Sequence, residues 1–566
     1  MPFRRAAVTR LPLRGAGPRG MEAAALVVAA PVFWVLAGNA GFLRAALQDR
    51  EPADPGTWAF AAVLVAMLVA LHALLLVCWP RRILKPVVAV MTVATAAAAW
   101  FGTRYGVVMD PGMLRNVLRT DAAEATELLS WPLLLHLALY AGLPLLLLWR
   151  LRLRPQGWRR ALLQRGAVGA AALAVLAGGV LALYQPLASL TRNDHGLRYR
   201  IVPAALAWSA GAVLAADAGA ATRAKSPIGV DARPGPSWAG ATRPRVVVLV
   251  VGETARAASW QLAGYPRETT PRLVTLPVAD LGAVAACGTS TETSLPCLFA
   301  PVGRRDYDES RIRGQESLLN VLARAGVAVH WRDNQSGCKG VCDGLPGDRV
   351  DARLAPGLCD GQRCLDEGLI ADIDARLARA RGTQLWVLHM LGNHGPSYFR
   401  RYPATFEHFR PACRQDDLRL CSEDEVRNAY DNALRYTDHV LAATIARLAA
   451  AGDRVDSALL YVSDHGESLG EYGLYLHGVP YAVAPAVQRE VPMLLWTSRG
   501  YESVVGLAKG CLRPALARER AAGRVAHDHV FHTLLGLLDV RTALHEPALD
   551  LTAPCRPDGT TAVAQR

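Results

Sequence analysis

Cysteine is nearly absent from the first half of this 566-residue chain, where Cys78 alone precedes Cys287. Charge is nearly absent from five stretches of the same half: Glu22–Leu43, Trp58–Trp79, Ile83–Phe101, Trp131–Trp149 and Ala161–Tyr184. Each has about the 20 apolar residues that cross a bilayer. Five such runs before residue 185 exclude an ordinary buried core helix as the common explanation. The shortage of charge inside them also argues against an ion pathway. The formal net charge is +13, yet much of the excess is Arg lying between the apolar runs. Arg placed there reports membrane topology and excludes a nucleic-acid footprint.

Trp58, Trp79, Trp131 and Trp149 fall at span ends, where interfacial aromatics belong. The N-terminal tail carries Arg4, Arg5, Arg10, Arg14 and Arg19. Basic residues return after the second span (Arg81, Arg82, Lys85) and after the fourth (Arg150, Arg152, Arg154, Arg159, Arg160, Arg165). The alternate loops, near 44–57 and 102–130, hold fewer and mix them with acids. The positive-inside rule therefore puts the N-terminus in the cytoplasm and everything after Tyr184 outside. The first run is read as a span and not as a cleaved signal peptide, because it is long and its removal would upset the alternation.

The expected division is a five-helix transmembrane domain (1–185) with an outer loop at 102–130, an amphipathic connector and linker (186–243), and a soluble domain (244–566). In the loop, Asp110-Pro111 fits a helix start. Asn116, Thr120 and Glu124 recur every four residues, which predicts one polar helical face. Spacing alone gives that face no more than a solvent-facing role. In the connector, Leu187–Leu214 reads as partly helical and fit to lie on a membrane surface. Ala218–Pro244, rich in Ala, Gly, Pro and Ser, reads as linker.

From Arg245 the pattern becomes α/β. Val246–Val251 is an apolar, β-branched run of the kind that forms a buried parallel strand. Leu385–Leu388 and Ala458–Val462 repeat it. Helical patterns lie between, at Ser317–Ala325, Leu365–Ala380 and Val426–Ala449. Sites in open α/β sheets form beyond the carboxyl ends of strands. There the three runs deliver Glu253, then His389 and His394, then Asp464, His465 and Glu467. Glu253, Asp464 and His465 are oxygen and nitrogen donors suited to zinc. His394 and His477, each beside a glycine, are candidates for a second metal or for holding a phosphate. A lone histidine is more often packed than ligating; the combination is what carries the reading.

Ten cysteines follow residue 280, and the first eight form close couples, which suggests disulfides and an oxidising compartment. The alternative is a zinc-cysteine site built on Cys338 and Cys342 or on Cys359 and Cys364. Its irregular spacings and the better donor set elsewhere count against it. Cys287 and Cys297 bracket the hydroxyl-rich run GTSTETSLP. A hydroxyl beside zinc loses its proton more easily, so this loop is the place to seek a nucleophile. A Ser/Thr-rich turn or cap is the structural alternative.

GETAR (252–256), CGTST (287–291), NHGP (393–396) and SDHGESLGEYGLYLHG (463–478) resemble the lipid A phosphoethanolamine transferases, including the mobile colistin-resistance enzymes, of the alkaline phosphatase superfamily. The resemblance runs over nearly the whole chain. It implies a helical membrane domain joined to an alkaline-phosphatase-like (sulfatase-like) α/β domain in the periplasm, within a multi-pass inner-membrane protein. It implies that Thr291 carries phosphoethanolamine and, with Glu253, Asp464 and His465, binds Zn2+. It assigns Lys339 (in DNQSGCKG, 333–340), His394, His477 and Glu467 to the phosphoryl group or a second zinc, and Asn116, Thr120 and Glu124 to the ethanolamine head group. It implies the disulfides Cys287–Cys297, Cys338–Cys342, Cys359–Cys364 and Cys413–Cys421; Cys511–Cys555 is the remaining pair. Two departures stand out. Glu292-Thr293-Ser294-Leu295 follows the nucleophile where relatives more often have Ala-Val-Ser-Val, so a carboxylate that did not point away would repel phosphate. His389-Met390-Leu391-Gly392-Asn393 replaces His-Gln-Met-Gly-Ser.

The expected reaction moves phosphoethanolamine from phosphatidylethanolamine to Thr291, then to a lipid A phosphate. The added amine makes the outer surface less anionic and less attractive to cationic peptides such as the polymyxins. Rival readings are transfer to a core sugar or another glycan, phosphoglycerol transfer, and a non-catalytic membrane module that zinc removal would leave working. A sulfatase lacks support, because no Cys/Ser-x-Pro-x-Arg motif surrounds the nucleophile region.

Overall fold

The computed structural model describes residues 20–48, 50–120, 122–193, 196–221 and 225–557. The arginines of the N-terminal tail, Arg4 to Arg19, lie outside the described residues. Two compact units emerge. One holds residues up to Ala99 with Leu135–Leu197 and Ile201–Ala204; the other holds Trp100–Leu134, Arg198–Arg200 and Ala205 onward.

The first unit is helical. α1 (Ala23–Gly38) and α2 (Ala40–Leu47) meet at a 63° bend, so the first apolar run is a bent helix pair where one straight span was expected. Asn39 sits at the break, fully buried. Its side chain accepts from Val202 N (3.0 Å) and donates to the Trp34 and Val202 carbonyls, which satisfies backbone groups freed by the bend. α3 (Pro55–Val77), α4 (Arg81–Tyr105), α7 (Trp131–Arg150) and α8 (Trp158–Ala182) are each long and apolar enough to cross a membrane. α7 contains a π-helical turn at Ala138–Gly142.

Within the second unit, Asp110 caps α5 (Pro111–Arg119) by accepting from Met113 N at 2.7 Å. The single helical face expected for Asn116, Thr120 and Glu124 does not form. The β-branched Thr120 takes an extended backbone (φ −61°, ψ 130°) and ends α5; its hydroxyl donates back to the Asn116 carbonyl at 2.9 Å. Glu124 therefore lies on a separate helix, α6 (Ala122–Glu127). The connector contains α9 (Tyr184–Asn193) and α10 (Ala204–Ala221), with a 3-10 turn at Leu197–Arg200 between them in the chain. The described end of the expected linker is packed. Arg233–Pro234 pair with Val540–Arg541, and Trp238 Nε1 donates to the Leu538 carbonyl at 2.8 Å.

A seven-stranded sheet centres the second unit. Its strands are β1 (Arg245–Gly252), β2 (Ala279–Ala285), β3 (Ala328–Asp333), β4 (Gly347–Arg349), β5 (Thr383–His389), β6 (Asp456–Ser463) and β7 (Glu490–Thr497). Their order across the sheet is β2-β7-β6-β1-β5-β3-β4. β1 runs parallel to β5 and β6, and β7 runs antiparallel to β6 and β2. All eight residues of β1 are buried. Val247, Leu249 and Val251 enter one core while Val246, Val248 and Val250 enter the other, so both faces are covered. The parallel trio β5-β1-β6 is the one its apolar runs predict. The expected helix Leu365–Ala380 is split into a 3-10 turn (Asp366–Ile370) and a short helix (Ile373–Arg379). Five disulfides join Cys287–Cys297, Cys338–Cys342, Cys359–Cys364, Cys413–Cys421 and Cys511–Cys555.

Candidate active site

Three strand ends converge. β1 delivers Glu253, β6 delivers Asp464 and His465, and the turn after β5 wraps their backbone. Gly392 in that turn has φ +53°, and a Cβ there would stand 2.6 Å from the Glu253 carbonyl oxygen. Only glycine permits this approach. The hydroxyl-rich loop arrives from β2 and opens α11 (Thr291–Leu298).

Thr291 Oγ1 lies 3.1 Å from Glu253 Oε2, 3.3 Å from Glu253 Oε1 and 3.4 Å from His465 Nε2. The ligand atoms of Glu253, Asp464 and His465 all fall within 4.8 Å of one another, and all three residues are fully buried. His465 Nδ1 faces the Gly466 carbonyl at 2.9 Å, and a carbonyl only accepts, so Nδ1 carries hydrogen and Nε2 points at the carboxylates. Asp464 Oδ2 makes no hydrogen bond among the described residues. Burial raises Asp464, with Glu253 adding to the effect, to about 6. Against the same desolvation, Asp464 and Glu253 lift His465 to about 10. Two carboxylates crowded together out of water must share a positive charge, either a proton or a cation. The donor set therefore suits a divalent metal ion.

His477 Nδ1 bonds Glu467 Oε2 at 2.8 Å, and its ring centroid is 4.3 Å from that of His465. His465, Glu467 and His477 form a second group able to hold a metal. Both Glu467 oxygens are engaged, because Tyr398 OH donates to Oε1 at 2.6 Å. This makes Glu467 foremost an orienting group for His477. His394 Nδ1 donates to the Gly395 carbonyl at 2.8 Å, and its Nε2 faces Glu124 Oε1 at 3.5 Å. Burial pushes His394 down to about 3, so the ring is neutral and Nε2 is an acceptor. Lys339 does not join the donor cluster by any of its hydrogen bonds: Nζ donates to Ser336 Oγ (2.7 Å) and to its carbonyl (3.3 Å). Glu292, beside Thr291, turns its carboxylate into Arg119 and Arg313.

Several working residues escape a reading of the sequence. Gln335 donates to Glu253 Oε2 at 3.0 Å. His527 accepts from Cys287 N at 3.1 Å and donates to the Ser463 carbonyl at 2.9 Å, tying the loop that bears Thr291 to β6. Arg401 donates to the His394 carbonyl at 2.7 Å and forks onto Glu127 of α6. Gln335 stands inside the motif DNQSGCKG; His527 and Arg401 have no local signal.

A family profile described as Phosphoethanolamine transferase EptA/EptB matches residues 23–218, and a Sulfatase profile matches 245–540. Phosphoethanolamine transferase EptA of Escherichia coli strain K12 is 36% identical over 479 residues, 83% of this chain and 86% of that one. This chain belongs to the phosphoethanolamine transferase family. Phosphatidylethanolamine transferase Mcr-1 of Escherichia coli is 35% identical over 532 residues, covering 92% of this chain and 96% of the other. The integral membrane lipooligosaccharide phosphoethanolamine transferase A of Neisseria meningitidis superposes with a TM-score of 0.89 at 32% identity, over 95% of this chain and 100% of that chain. As a phosphoethanolamine transferase with helical spans and a sulfatase-like domain, it is a multi-pass inner-membrane protein whose α/β domain stands in the periplasm.

Proposed function

We propose that the chain transfers phosphoethanolamine from phosphatidylethanolamine to a phosphate of lipid A through a covalent intermediate on Thr291. The observation that carries this is the Thr291 hydroxyl, buried at the start of α11 and 3.1 Å from Glu253 Oε2. Glu253, Asp464 and His465, with the Thr291 oxygen, would hold zinc. When bound, zinc would supply Lewis acidity, easing loss of the hydroxyl proton and offsetting the charge of the phosphoryl group.

Thr291 Oγ1 attacks the phosphorus of the donor; the bond from phosphorus to the diacylglycerol oxygen breaks, and that oxygen leaves with a proton. Before the attack the hydroxyl proton rests toward Glu253 Oε2. Backbone N–H groups at the first turn of α11 favour the anionic phosphoryl group. The facing acceptors Glu124 Oε1 and His394 Nε2, 3.5 Å apart, suit a cation such as the ethanolamine ammonium. In the second half, a lipid A phosphate oxygen attacks the same phosphorus and Thr291 Oγ1 leaves, recovering its proton.

Mass spectrometry of lipid A from cells making the wild type or Thr291→Ala tests this reading. A phosphoethanolamine adduct with the wild type, absent with the variant, is the expected result. Unmodified lipid A in both overturns the acceptor and directs the search to core sugars and glycans.

A further inference from the structure

Glu467 and His477 are joined by a β-hairpin whose strands are Ser468–Leu469 and Tyr475–Leu476. At its tip Tyr472 has φ +56° and ψ +24°, the left-handed region. A bulky side chain holds that backbone only at a cost. Bonds from Gly470 N to the Leu474 carbonyl (2.8 Å) and from Gly473 N to the Gly470 carbonyl (2.9 Å) fix the turn. They would fix it equally with glycine at position 472, where the strain disappears. Tyr472 is 91% exposed, so packing within the chain does not offset the cost. What the side chain meets should be sought outside the protein.

The tip stands beside the end of a membrane span. α4 is long and apolar enough to cross a bilayer and ends at Tyr105. In its last turns Arg104 lies over the Trp100 ring at 5.2 Å, an aromatic and a basic residue together as at a membrane–water interface. Leu474 packs on Gly106, where a Cβ would stand 2.3 Å from Leu474 Cδ2. Tyr472 is two residues from Leu474, a reach of about 7 Å at most. The polar layer on each side of a bilayer is about 5–8 Å deep, so Tyr472 can enter it.

A second exposed apolar residue is tied to the same helix end. Arg104 donates to Asp417 Oδ2 at 2.7 Å and to Oδ1 at 3.4 Å. Asp417 caps the 3-10 turn Leu418–Leu420, in which Leu420 is 59% exposed. Arg419 of that turn is exposed and lies over the Tyr475 ring at 5.8 Å, which brings the turn to the hairpin. The charge also suits a lipid surface. Glu471, the acid at the tip, is paired with the buried Arg256 at 2.5 Å. Arg419 is left to meet lipid phosphates.

We propose that Tyr472 and Leu420 seat this edge of the periplasmic domain in the head-group layer of the membrane, with Arg419 on the lipid phosphates. The hairpin that joins Glu467 to His477 is then held from outside by lipid, as Arg256 holds it from inside through Glu471 and the Glu467 carbonyl.

The test places a nitroxide label on Tyr472→Cys in the full-length protein, with the unpaired Cys78 changed to Ser. Accessibility is read by electron paramagnetic resonance in nanodiscs of phosphatidylethanolamine and phosphatidylglycerol. The reference label sits on Asp453→Cys, exposed and just ahead of β6, at the end of that strand away from Asp464. The label at position 472 is expected to be more open to oxygen, and less open to a water-soluble nickel chelate, than the reference. In a companion assay, Tyr472→Asp keeps a residue that tolerates the left-handed backbone and removes the aromatic. It should keep the wild-type circular dichroism and raise the KM for phosphatidylethanolamine in the bilayer several-fold, with kcat little changed. Tyr472→Trp keeps an interfacial aromatic and the wild-type KM. A label as open to nickel as the reference, or Tyr472→Asp at the wild-type KM, overturns the proposal. The KM readout rests on the reaction proposed above, and the label does not. A shielded label on a protein that transfers nothing from phosphatidylethanolamine removes that reaction and leaves the docking standing.

Discussion

A threonine hydroxyl is a weak nucleophile on its own, so its surroundings must do the activating. Here they are a glutamate, an aspartate and a histidine, all buried, and the two carboxylates call for a positive charge beside them, a proton or a bound cation. Asp464→Asn removes the carboxylate whose Oδ2 makes no hydrogen bond. The expected outcome is a drop in zinc per chain, read by elemental analysis after dialysis, with circular dichroism unchanged. Removing the nucleophile with Thr291→Ala costs roughly 10³-fold or more in turnover, while Thr291→Ser keeps measurable transfer. His527 is a subtler case. It is fully buried and neutral, pushed down to about 3 by burial, and it bridges Cys287 N and the Ser463 carbonyl. His527→Ala leaves two buried backbone groups unpaired and should lower kcat more than it raises KM. His527→Gln, which keeps a donor, should recover part of the loss; a KM-only effect would contradict the positioning role.

At the scale of elements, the break at Thr120 frees α6 to reach the catalytic loops. Glu127 and Arg401 form a nearly dry ion pair, with side-chain exposures of 5% and 0%. Arg401 also holds the His394 carbonyl, so one side chain ties α6 to the turn after β5. Glu127→Ala leaves a buried guanidinium unpaired, at a cost of ~3–5 kcal/mol, measurable as a shift in the urea midpoint. A second element carries a pH signature. The long helix Glu423–Ala450 begins with a capping box on Ser422 and Glu425 and buries Asp438, which burial raises to about 6 despite N–H donors from Leu273 and Arg272. A carboxyl whose folded value lies above its unfolded value adds stability below the unfolded value and loses it as pH rises through the folded one. From about pH 4 to about 6 this contribution fades, and Asp438→Asn should remove that slope from the urea midpoints.

For the whole molecule, what could be read from sequence divides by range. The parallel trio of strands was legible because a strand buried on both faces needs an unbroken apolar run, and its acidic or histidine end marks the site. The membrane spans were legible for the same reason, although the bend at Asn39 was not. Neither the Glu127–Arg401 clamp nor the His527 bridge could be read, since they join residues 274 and 240 positions apart with no local pattern. The four-residue spacing of Asn116, Thr120 and Glu124 misled about geometry, because the chain leaves the helical conformation at Thr120 and the spacing holds only within one unbroken helix. The grouping of residues 100–134 with the α/β unit has a functional corollary. A secreted fragment beginning at Lys225 keeps the proposed ligands Glu253, Asp464 and His465 but lacks Glu124 and Glu127. It should bind zinc at one site and show a KM for phosphatidylethanolamine raised by more than roughly 10²-fold, having lost both the head-group contact and the shared membrane.

The link from Cys287 to His527 also sets an order of manufacture. The chain is made and exported from its N-terminus, and Glu253, Asp464 and His465 have all emerged once residue 465 is outside. The loop bearing Thr291 still lacks its last anchor until the segment before the final long helix, Asp528–Leu538, has followed. A chain that ends short of that segment would lack this tie between the loop and β6.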